Sequence, residues 1–463
     1  MRWRWEGVTQ RRQPRQERFA FEERRERHER CFKRGIVLGT ALVVIGALAG
    51  TGTGRYLVGR GAFEARTAAE RWIGMSLDRA AVEADWKRRR ERGVEQTRRI
   101  FREVYAEATP EARRLVDFGG LDPDVGVLRW GNYDHIMLLP STVFLPDDHG
   151  RSYRLRPNTR SIWLRNFDLP RGLTGFFLMP DTPELRHLIV GTEAYIVPGS
   201  TQTTNSWGCR GPEPDVNATL RGLMLGDSYM QGLFIGDDET PPECLRRELH
   251  ERLGRRVSVL NTGHLGYSPE QIYHTLREYG DRFRPHFVVF SFCSNDFGSL
   301  FDPVPDRRDV EEAQYWLEQI TEYCRERNIV QVNTPIPEEF HVTAARGEGT
   351  YPGRVCNLLR MGSMNYCNPI EAFVDEDLRL QVERDRRGEE GPSTSPLFNG
   401  AIGDWHMSVL GAALWGKVLS ARVALLLERA RKQAKPLGGA SRSPVPGHTP
   451  PARLRPGLGT GRK

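Results

Sequence analysis

Short apolar runs alternate with longer amphipathic stretches between residues 218 and 432. The short runs are typical of buried strands, and the longer stretches, whose apolar positions recur at steps of three and four, are typical of helices. The predicted strands are Leu223–Leu225, Val257–Leu260, Phe287–Phe290 and Ile329–Val332, and the predicted helices are Thr240–Leu253, Pro269–Phe283, 309–327 and Met407–Ala430. This alternation predicts an α/β domain with a doubly wound parallel sheet and helices on both faces. Glu243 follows Thr240 by three positions, which predicts a capping box.

Other parts of the chain have different patterns of apolar and polar residues. Residues 65–116 carry apolar positions at helical spacing between Arg and Glu, which predicts a helical segment. Residues 126–212 contain short apolar runs split by Gly, Pro, Asn and Asp, which predicts a small β-rich accessory region. This region could serve as a lid, as a carbohydrate-binding face or as a spacer. The insert at 338–400 is either a lid or a decoration, and the tail at 433–463 is predicted to be disordered.

One segment near the N-terminus is apolar enough to enter a membrane. Gly35–Gly54 has no charged residue and would measure about 30 Å as a helix, the thickness of a hydrocarbon core. Basic residues crowd its N-terminal side, so the positive-inside rule predicts a single-pass anchor at 35–54, with tail 1–34 in the cytoplasm. The chain after residue 54 would then be extracytoplasmic, either periplasmic or extracellular. A cleaved signal peptide, with Ala47-Leu48-Ala49 as its cleavage site, and a buried helix are the alternatives.

The charge of the chain is concentrated at its ends. The whole sequence carries +7, but residues 1–34 and 433–463 carry +6 each, which leaves −5 for the central body. A folded domain that binds nucleic acid needs a basic surface. We therefore expect no nucleic-acid partner.

Cysteine usage is compatible with an oxidising compartment. Cys31 precedes the predicted anchor and six cysteines follow it, of which Cys356 and Cys367 share a loop-like segment and are a candidate disulfide. Neither a Cys-x-x-Cys pair nor a His/Cys cluster with ligand spacing occurs in the sequence, so we predict no metal site and no cofactor.

Polar residues follow the predicted strands where an α/β sheet places its active site. Ser228 follows the first strand as a nucleophile that we expect to be exposed at a strand-to-helix turn, where helix N–H groups stabilise negative charge. A serine hydroxyl needs a base that a carboxylate orients, and His406 and Asp404 are candidates for these roles. The candidate oxyanion donors are the N–H groups of Ser228 and Gly266 and the side-chain amide of Asn295.

These residues form four blocks that resemble the SGNH, or GDSL, hydrolases. The blocks are Gly226-Asp227-Ser228, the loop with Gly266, Asn295-Asp296, and Asp404-Trp405-His406, in the order of that family and over about 218–432. The resemblance implies a flavodoxin-like fold and ester hydrolysis by Ser228, His406 and Asp404. Cys293 departs from the family's pattern, where glycine is usual, and the last block reads D-x-H in place of D-x-x-H. The D-x-H form also occurs in branches that resemble polysaccharide O-acetyltransferases.

Other residues within or next to the blocks are assigned to the scaffold or to the wall of the site. This group contains Asp227, Tyr229, His264, Asp296 and Trp405. The segment 204–211, which leads into the domain, is a candidate border of the pocket.

The sequence favours a serine esterase acting on small acyl groups, such as acetyl on an envelope or extracellular polysaccharide. An O-acetyltransferase with the same triad and a non-catalytic glycan-binding membrane protein are the alternatives. The acyl group, the alcohol and the oligomeric state are not determined.

Overall fold

The computed structural model describes residues 98–121, 127–130, 135–147, 151–169, 173–293, 296, 307–344, 365–389, 394–402 and 404–434. The predicted tail 1–34 and the anchor 35–54 lie outside these residues, as does the chain from 435 onward. The described part of α1 spans 98–107, and the other helices are α2 (Pro110–Gly119), α3 (Pro183–Leu188), α4 (Ser228–Gln231), α5 (Pro241–Leu253), α6 (Pro269–Phe283), α7 (Arg307–Glu326), α8 (Glu339–Ala344), α9 (Ile370–Arg387) and α10 (Val409–Ala434). The strands are β1 (Val127–Trp130), β2 (His135–Leu138), β3 (Phe144–Asp147), β4 (Ser152–Leu155), β5 (Arg160–Leu169), β6 (Leu173–Pro180), β7 (Tyr195–Ile196), β8 (Gln202–Thr203), β9 (Leu220–Leu225), β10 (Val257–Asn261), β11 (Phe287–Phe292) and β12 (Val330–Pro335).

The predicted parallel sheet is present, in the order β10-β9-β11-β12. The chain moves from β9 outward to β10 and then crosses to β11 on the other side of β9. In flavodoxin-like sheets this reversal creates a crevice at the carboxyl ends of the first and third strands. Ser228 follows β9 directly, so the sheet order places the predicted nucleophile at the switch point.

Alternate side chains of the central strands enter two separate cores. On β9, Leu223 and Leu225 face α6 and α7, whereas Met224 faces α5 and α10. The strands therefore carry apolar residues on both faces, as a sheet covered by helices on both sides requires. Gly222 has a specific reason to lack a side chain, because a Cβ there would lie 2.0 Å from the ring of Phe287, its partner on β11.

A smaller antiparallel sheet in the β-rich region packs directly on the α/β body. Its central strand β5 pairs with β6, β7 and β8. Ile162 and Leu164 on β5 pack against α1 and α2, while Trp163 on the opposite face belongs to the same core as β9 and β11. The accessory sheet and the α/β body thus share one continuous core.

Polar contacts reinforce this junction. The hydroxyl of Tyr153 donates to the carbonyl of Leu265, and the hydroxyl of Tyr267 donates to the carbonyl of Tyr153 at 2.5 Å. The hydroxyl of Tyr279 donates to the carbonyl of Trp207 at 3.0 Å. Each of these buried tyrosines donates its hydroxyl across the junction between the β-rich region and the α/β body, so its polar end has a partner.

Two local predictions are wrong. Thr240 precedes α5, but its side chain makes no capping bond, because its hydroxyl donates to the Asp237 carbonyl and Glu243 binds Arg246. Cys367 is a free, buried thiol, so the proposed bridge to Cys356 is not formed.

Helix α10 is the one described helix that is long and apolar enough to cross a membrane, over Val409–Gln433. Trp415, Leu419 and Val423 on this helix are fully buried and pack in the core that contains α5 and the sheet. This packing accounts for the apolar composition of α10 within the folded body.

Candidate active site

The turn that carries Ser228 is set by a close approach of two strands. A Cβ on Gly226 would lie 2.2 Å from the Ser291 hydroxyl and 2.8 Å from the Cβ of Met230, so only glycine fits. Asp227 then caps α4 by accepting the N–H of Tyr229 at 3.0 Å. Burial raises the pKa of Asp227, and the charge of His406 and the backbone donors oppose that rise only in part. This geometry agrees with the structural role assigned to Asp227 from the sequence.

Asp404 and His406 lie in a tight turn just before α10. One carboxylate oxygen of Asp404, Oδ1, accepts the backbone N–H of His406 at 2.8 Å and lies 2.6 Å from His406 Nδ1. Burial acts to raise the pKa of Asp404, but the charge and hydrogen bonds of His406 outweigh it, so the pKa lies below its usual value. The carboxylate therefore stays ionised beside the imidazole.

The other ring nitrogen of this histidine points at the serine. His406 Nε2 lies 2.8 Å from Ser228 Oγ, which closes the chain Asp404–His406–Ser228. The network places a proton on Nδ1 and leaves Nε2 as the acceptor for the serine hydroxyl. The structure therefore brings together the three residues that the sequence selected from segments far apart in the chain.

The predicted exposure of Ser228 is wrong. Ser228, His406 and Asp404 are 0%, 2% and 5% exposed. The hydroxyl is buried because it is directed at His406 and lies 3.5 Å from a carboxylate oxygen of Asp227. Helix α4 spans only four residues, so individual N–H groups rather than a long helix dipole are available near Ser228.

The loop after β10 is held against α4. A Cβ on Gly263 would lie 2.2 Å from the backbone nitrogen of Gln231, and the Gln231 side chain accepts the N–H of Leu265 at 2.6 Å. Gly266 follows with φ of +72°, a conformation that favours glycine. The predicted donor loop thus lies beside the nucleophile's helix. Asn295, the third predicted oxyanion donor, lies outside the described residues.

Buried acidic side chains contact Cys293, which follows the last residue of β11. Asp296 accepts the Cys293 N–H at 2.7 Å, and the Cys293 thiol donates to Glu338 at 3.1 Å. Burial, with the negative charges of Asp227 and Glu338, raises the pKa of Asp296 well above its usual value. Negatively charged neighbours disfavour a thiolate, so these carboxyl groups make Cys293 a poor nucleophile.

His264 is a structural residue, as expected. Burial lowers its pKa to about 4, so the imidazole is neutral near pH 7. Its Nδ1 lies 3.1 Å from the Thr262 carbonyl, its Nε2 accepts the N–H of Leu155 at 3.4 Å, and its ring stacks on Tyr267 at 4.5 Å. These contacts join the loop after β10 to the accessory region.

Two aromatic residues lie close to the ring of His406. The ring of Tyr229 lies 4.5 Å from that of His406, and the ring of Phe234 lies 6.1 Å away. Phe234 has φ of +66°, a strained conformation for a residue with a Cβ. Trp405 lies between the two buried triad residues in sequence but is 55% exposed.

Sequence reasoning missed one residue at the site. Arg165, on strand β5 of the accessory sheet, forms an ion pair with Asp404 through Nη1 and Oδ2 at 3.4 Å. The two residues are 239 positions apart. The only signal in the sequence is a charged residue inside an apolar run, at the same face of the strand as buried Trp163.

The segment 204–211 was a candidate border of the pocket, and its Arg210 has a defined role. The guanidinium is fully buried and binds the carbonyls of Gln231 and Ile235 at 2.9 and 2.5 Å, the carbonyl of Gly232, and Asp237 at 2.9 Å. Arg210 therefore holds the loop after α4, which carries Phe234 toward His406.

Comparisons with known proteins give likenesses to solved structures alone. No family model matches the chain, and no curated protein sequence matches it. The acetyl xylan esterase AlAXEase matches at 12% identity and a TM-score of 0.33, over 44% of this chain and 100% of that one. A protein assigned to the G-D-S-L family of lipolytic proteins, from Desulfitobacterium hafniense DCB-2, matches at 15% identity and a TM-score of 0.27, over 44% and 99%.

A third match extends further along the chain. A carbohydrate esterase family 2 enzyme with a carbohydrate-binding domain, from Corynascus thermopiles (Myceliophthora fergusii), matches at 13% identity and a TM-score of 0.31, over 59% of this chain and 88% of that one. At these identities and TM-scores the likenesses carry no argument about any residue or activity of this chain. The descriptions of these structures name an esterase and a lipolytic protein of the G-D-S-L family, the family that the four sequence blocks resemble.

Proposed function

We propose that this chain is a serine esterase that cleaves small carboxylic esters, with an acetyl group on a carbohydrate as the preferred substrate. The hydrogen-bonded chain Asp404–His406–Ser228, with distances of 2.6 and 2.8 Å, carries this proposal. These are the distances at which a base can take the proton of a nucleophile while a carboxylate fixes its tautomer.

In the first half-reaction Ser228 Oγ attacks the ester carbonyl as its proton passes to His406 Nε2. The ionised Asp404 stabilises the imidazolium that forms, and it keeps Nδ1 protonated. The carbonyl oxygen becomes an oxyanion, for which the N–H groups of Ser228 and Gly266 and the amide of Asn295 are the proposed donors. The imidazolium then protonates the leaving alcohol, and an acyl-serine remains.

In the second half-reaction water attacks the acyl-serine. His406 takes a proton from the water and returns it to Ser228 Oγ as the acid leaves. Because the Ser228 hydroxyl is buried, an ester reaches it only when neighbouring side chains move.

The carbohydrate part of the proposal rests on Trp405. An indole that is 55% exposed beside a buried catalytic histidine offers an apolar face for the C–H groups of a sugar ring and an N–H for its hydroxyls. The proposed location is extracytoplasmic, where such polysaccharides occur, behind the anchor proposed at residues 35–54.

Hydrolysis of p-nitrophenyl acetate by the full-length protein tests the proposal. Ser228→Ala is expected to lower kcat about a thousandfold or more, the scale of a removed nucleophile. Ser420→Ala is the matched control, because Ser420 is an equally buried serine on α10 whose hydroxyl donates to the Lys417 carbonyl. Equal activity in Ser228→Ala and the wild type would refute the assignment of the nucleophile.

The acceptor is tested with acetylated and unacetylated oligosaccharides. An esterase releases acetate from the acetylated oligosaccharide, and Trp405→Ala raises KM for it more than for p-nitrophenyl acetate. Transfer of acetyl to the unacetylated oligosaccharide, with little free acetate, would favour the O-acetyltransferase. Folded protein without either activity, but with glycan binding that survives Ser228→Ala, would favour the non-catalytic alternative.

A further inference from the structure

We propose that Arg165, supplied by the accessory sheet, is a positioning residue that fixes the triad carboxylate of Asp404. This inference rests on the proposed function, since it concerns the same site. It makes the accessory sheet a working part of the active site rather than a lid, a spacer or a separate binding module.

The strand that carries Arg165 directs the side chain toward the site. Arg165 pairs with Phe176 on β6 and with Tyr195 on β7, so it lies on the central strand of its sheet. The register of β5 and β6 shifts immediately after Arg165. Irregularities of this kind bend a strand and redirect its side chains, and they are frequent next to active sites.

Aromatic rings hold the guanidinium in place. The Cζ atom of Arg165 lies 5.8 Å from the ring centre of Phe176 and 5.6 Å from that of Phe234, and the side chain is only 16% exposed. Trp163 packs against both rings, at 5.7 and 5.1 Å. A planar guanidinium against such faces loses much of its rotational freedom, so the group that meets Asp404 is already oriented.

The two carboxylate oxygens of Asp404 bind different partners. Oδ1 serves His406 alone, through the backbone N–H and Nδ1. Oδ2 faces Arg165 Nη1 at 3.4 Å. A carboxylate held at one oxygen can rotate about its χ2 bond, whereas one held at both oxygens keeps Oδ1 aligned with the imidazole.

The charge of Arg165 has a second effect, which distinguishes positioning from general packing. A cation beside Asp404 keeps the carboxylate ionised but also opposes uptake of a proton by the Asp404–His406 pair. The acidic side chains of Asp227 and Glu339, which interact electrostatically with His406 and Asp404, are the same in every variant, so a difference between variants reports Arg165. Removing the guanidinium therefore makes protonation of the pair easier. The acid limb of the kcat/KM profile should then move to higher pH.

The test compares Arg165→Met, which keeps an apolar stem without charge, with Arg165→Lys, which restores a charge without the planar fork. Arg160→Met is the control, because Arg160 lies on the same strand and forms an exposed ion pair with Asp181 at 2.8 Å. In Arg165→Met we expect kcat for p-nitrophenyl acetate to fall about ten- to a hundredfold, the range for one lost hydrogen bond to a charged group, with KM nearly unchanged. The midpoint of the acid limb of the kcat/KM profile should move to higher pH by roughly half a unit or more.

Arg165→Lys should recover part of kcat and most of the shift in the acid limb, and Arg160→Met should change neither quantity. An increase in KM alone, with kcat and the pH profile unchanged, would overturn the proposal and make Arg165 a substrate contact. Equal kcat and equal pH profiles in Arg165→Met and the wild type would also overturn it. Far-UV circular dichroism and thermal unfolding of all three variants show whether a loss of kcat follows from unfolding. If Arg165→Met is unfolded, the kcat and the acid limb of Arg165→Lys decide whether the charge positions Asp404.

A second readout does not depend on turnover. The pH titration of the His406 imidazole is followed by NMR on protein with ¹⁵N-labelled histidine, and His406→Gln assigns its signals. A shift of this titration in Arg165→Met but not in Arg160→Met supports the positioning role even if the wild type hydrolyses no ester, which would be a failure of the proposed function alone. Identical titrations in the two variants and the wild type would refute the positioning role, whatever the activity.

Discussion

Replacement of Arg210 by Met should destabilise the whole fold through one buried cation. Arg210 is fully buried, and its guanidinium satisfies Asp237 and three carbonyls of the loop after α4. Burial lowers the pKa of Arg210, and Asp237 opposes this only in part. The loop thus depends on a cation whose desolvation its partner does not fully offset.

The expected magnitude follows from the groups that Met would leave behind. Breaking a buried ion pair by removing one partner costs about 3–5 kcal/mol, because the remaining charge and carbonyls lose their donors. That is a large share of the roughly 5–15 kcal/mol that stabilises an ordinary domain. With an m-value of about 3 kcal/mol/M, the urea midpoint should fall by about 1–1.7 M.

Urea unfolding followed by tryptophan fluorescence measures this change, with Arg256→Met as the control. Arg256 pairs with Asp215, but its side chain is 62% exposed, so its loss should cost about 0.5 kcal/mol or less. A double-mutant cycle with Asp237→Asn separates the ion pair from the carbonyl bonds. If Arg210→Met and Arg256→Met unfolded at the same urea concentration, the reasoning on the buried cation would be refuted.

Three further predictions concern the site and its support. Gly226→Ala should lower kcat at least tenfold in the p-nitrophenyl acetate assay, because the added Cβ meets the Ser291 hydroxyl at 2.2 Å; unchanged kcat would contradict this close approach. Asp404 has a lowered folded pKa, so it contributes stability that is present above its unfolded pKa of about 3.9 and is lost as pH falls through the folded value; the difference in unfolding free energy between wild type and Asp404→Asn should therefore shrink as pH falls below about 4, and a difference independent of pH would argue against the ionised carboxylate. A chain that begins at residue 213 should fail to give a cooperative unfolding transition, because it loses about a third of the residues of the shared core, Trp163 among them; a soluble, cooperatively folded product would show that the accessory sheet is dispensable.

The agreement between sequence and structure is closest where local pattern and burial coincide. Helix α6 spans Pro269–Phe283 as the spacing predicts, since a proline start and one apolar stripe define it. Strands β9 and β11 extend beyond their predicted bounds, because hydrogen bonding to neighbours continues into Gly222 and Ser291, whose own preference for a strand is weak. The capping box at Thr240 is absent because its hydroxyl is turned toward the Asp237 carbonyl and Glu243 binds Arg246.

The sequence by itself determined the order of strands and helices and the three residues of the hydrogen-bonded chain, because these depend on periodicity and on side-chain chemistry at strand ends. Only the tertiary structure decided that Ser228 is buried, that the accessory sheet shares the core of the α/β body, and that Arg165 and Arg210 form ion pairs with Asp404 and Asp237. The physical reason is that the contribution of a cation to the structure depends on which carboxylate and carbonyl groups surround it. For Arg165 that partner is 239 residues away, and no local pattern records a contact that packing alone creates.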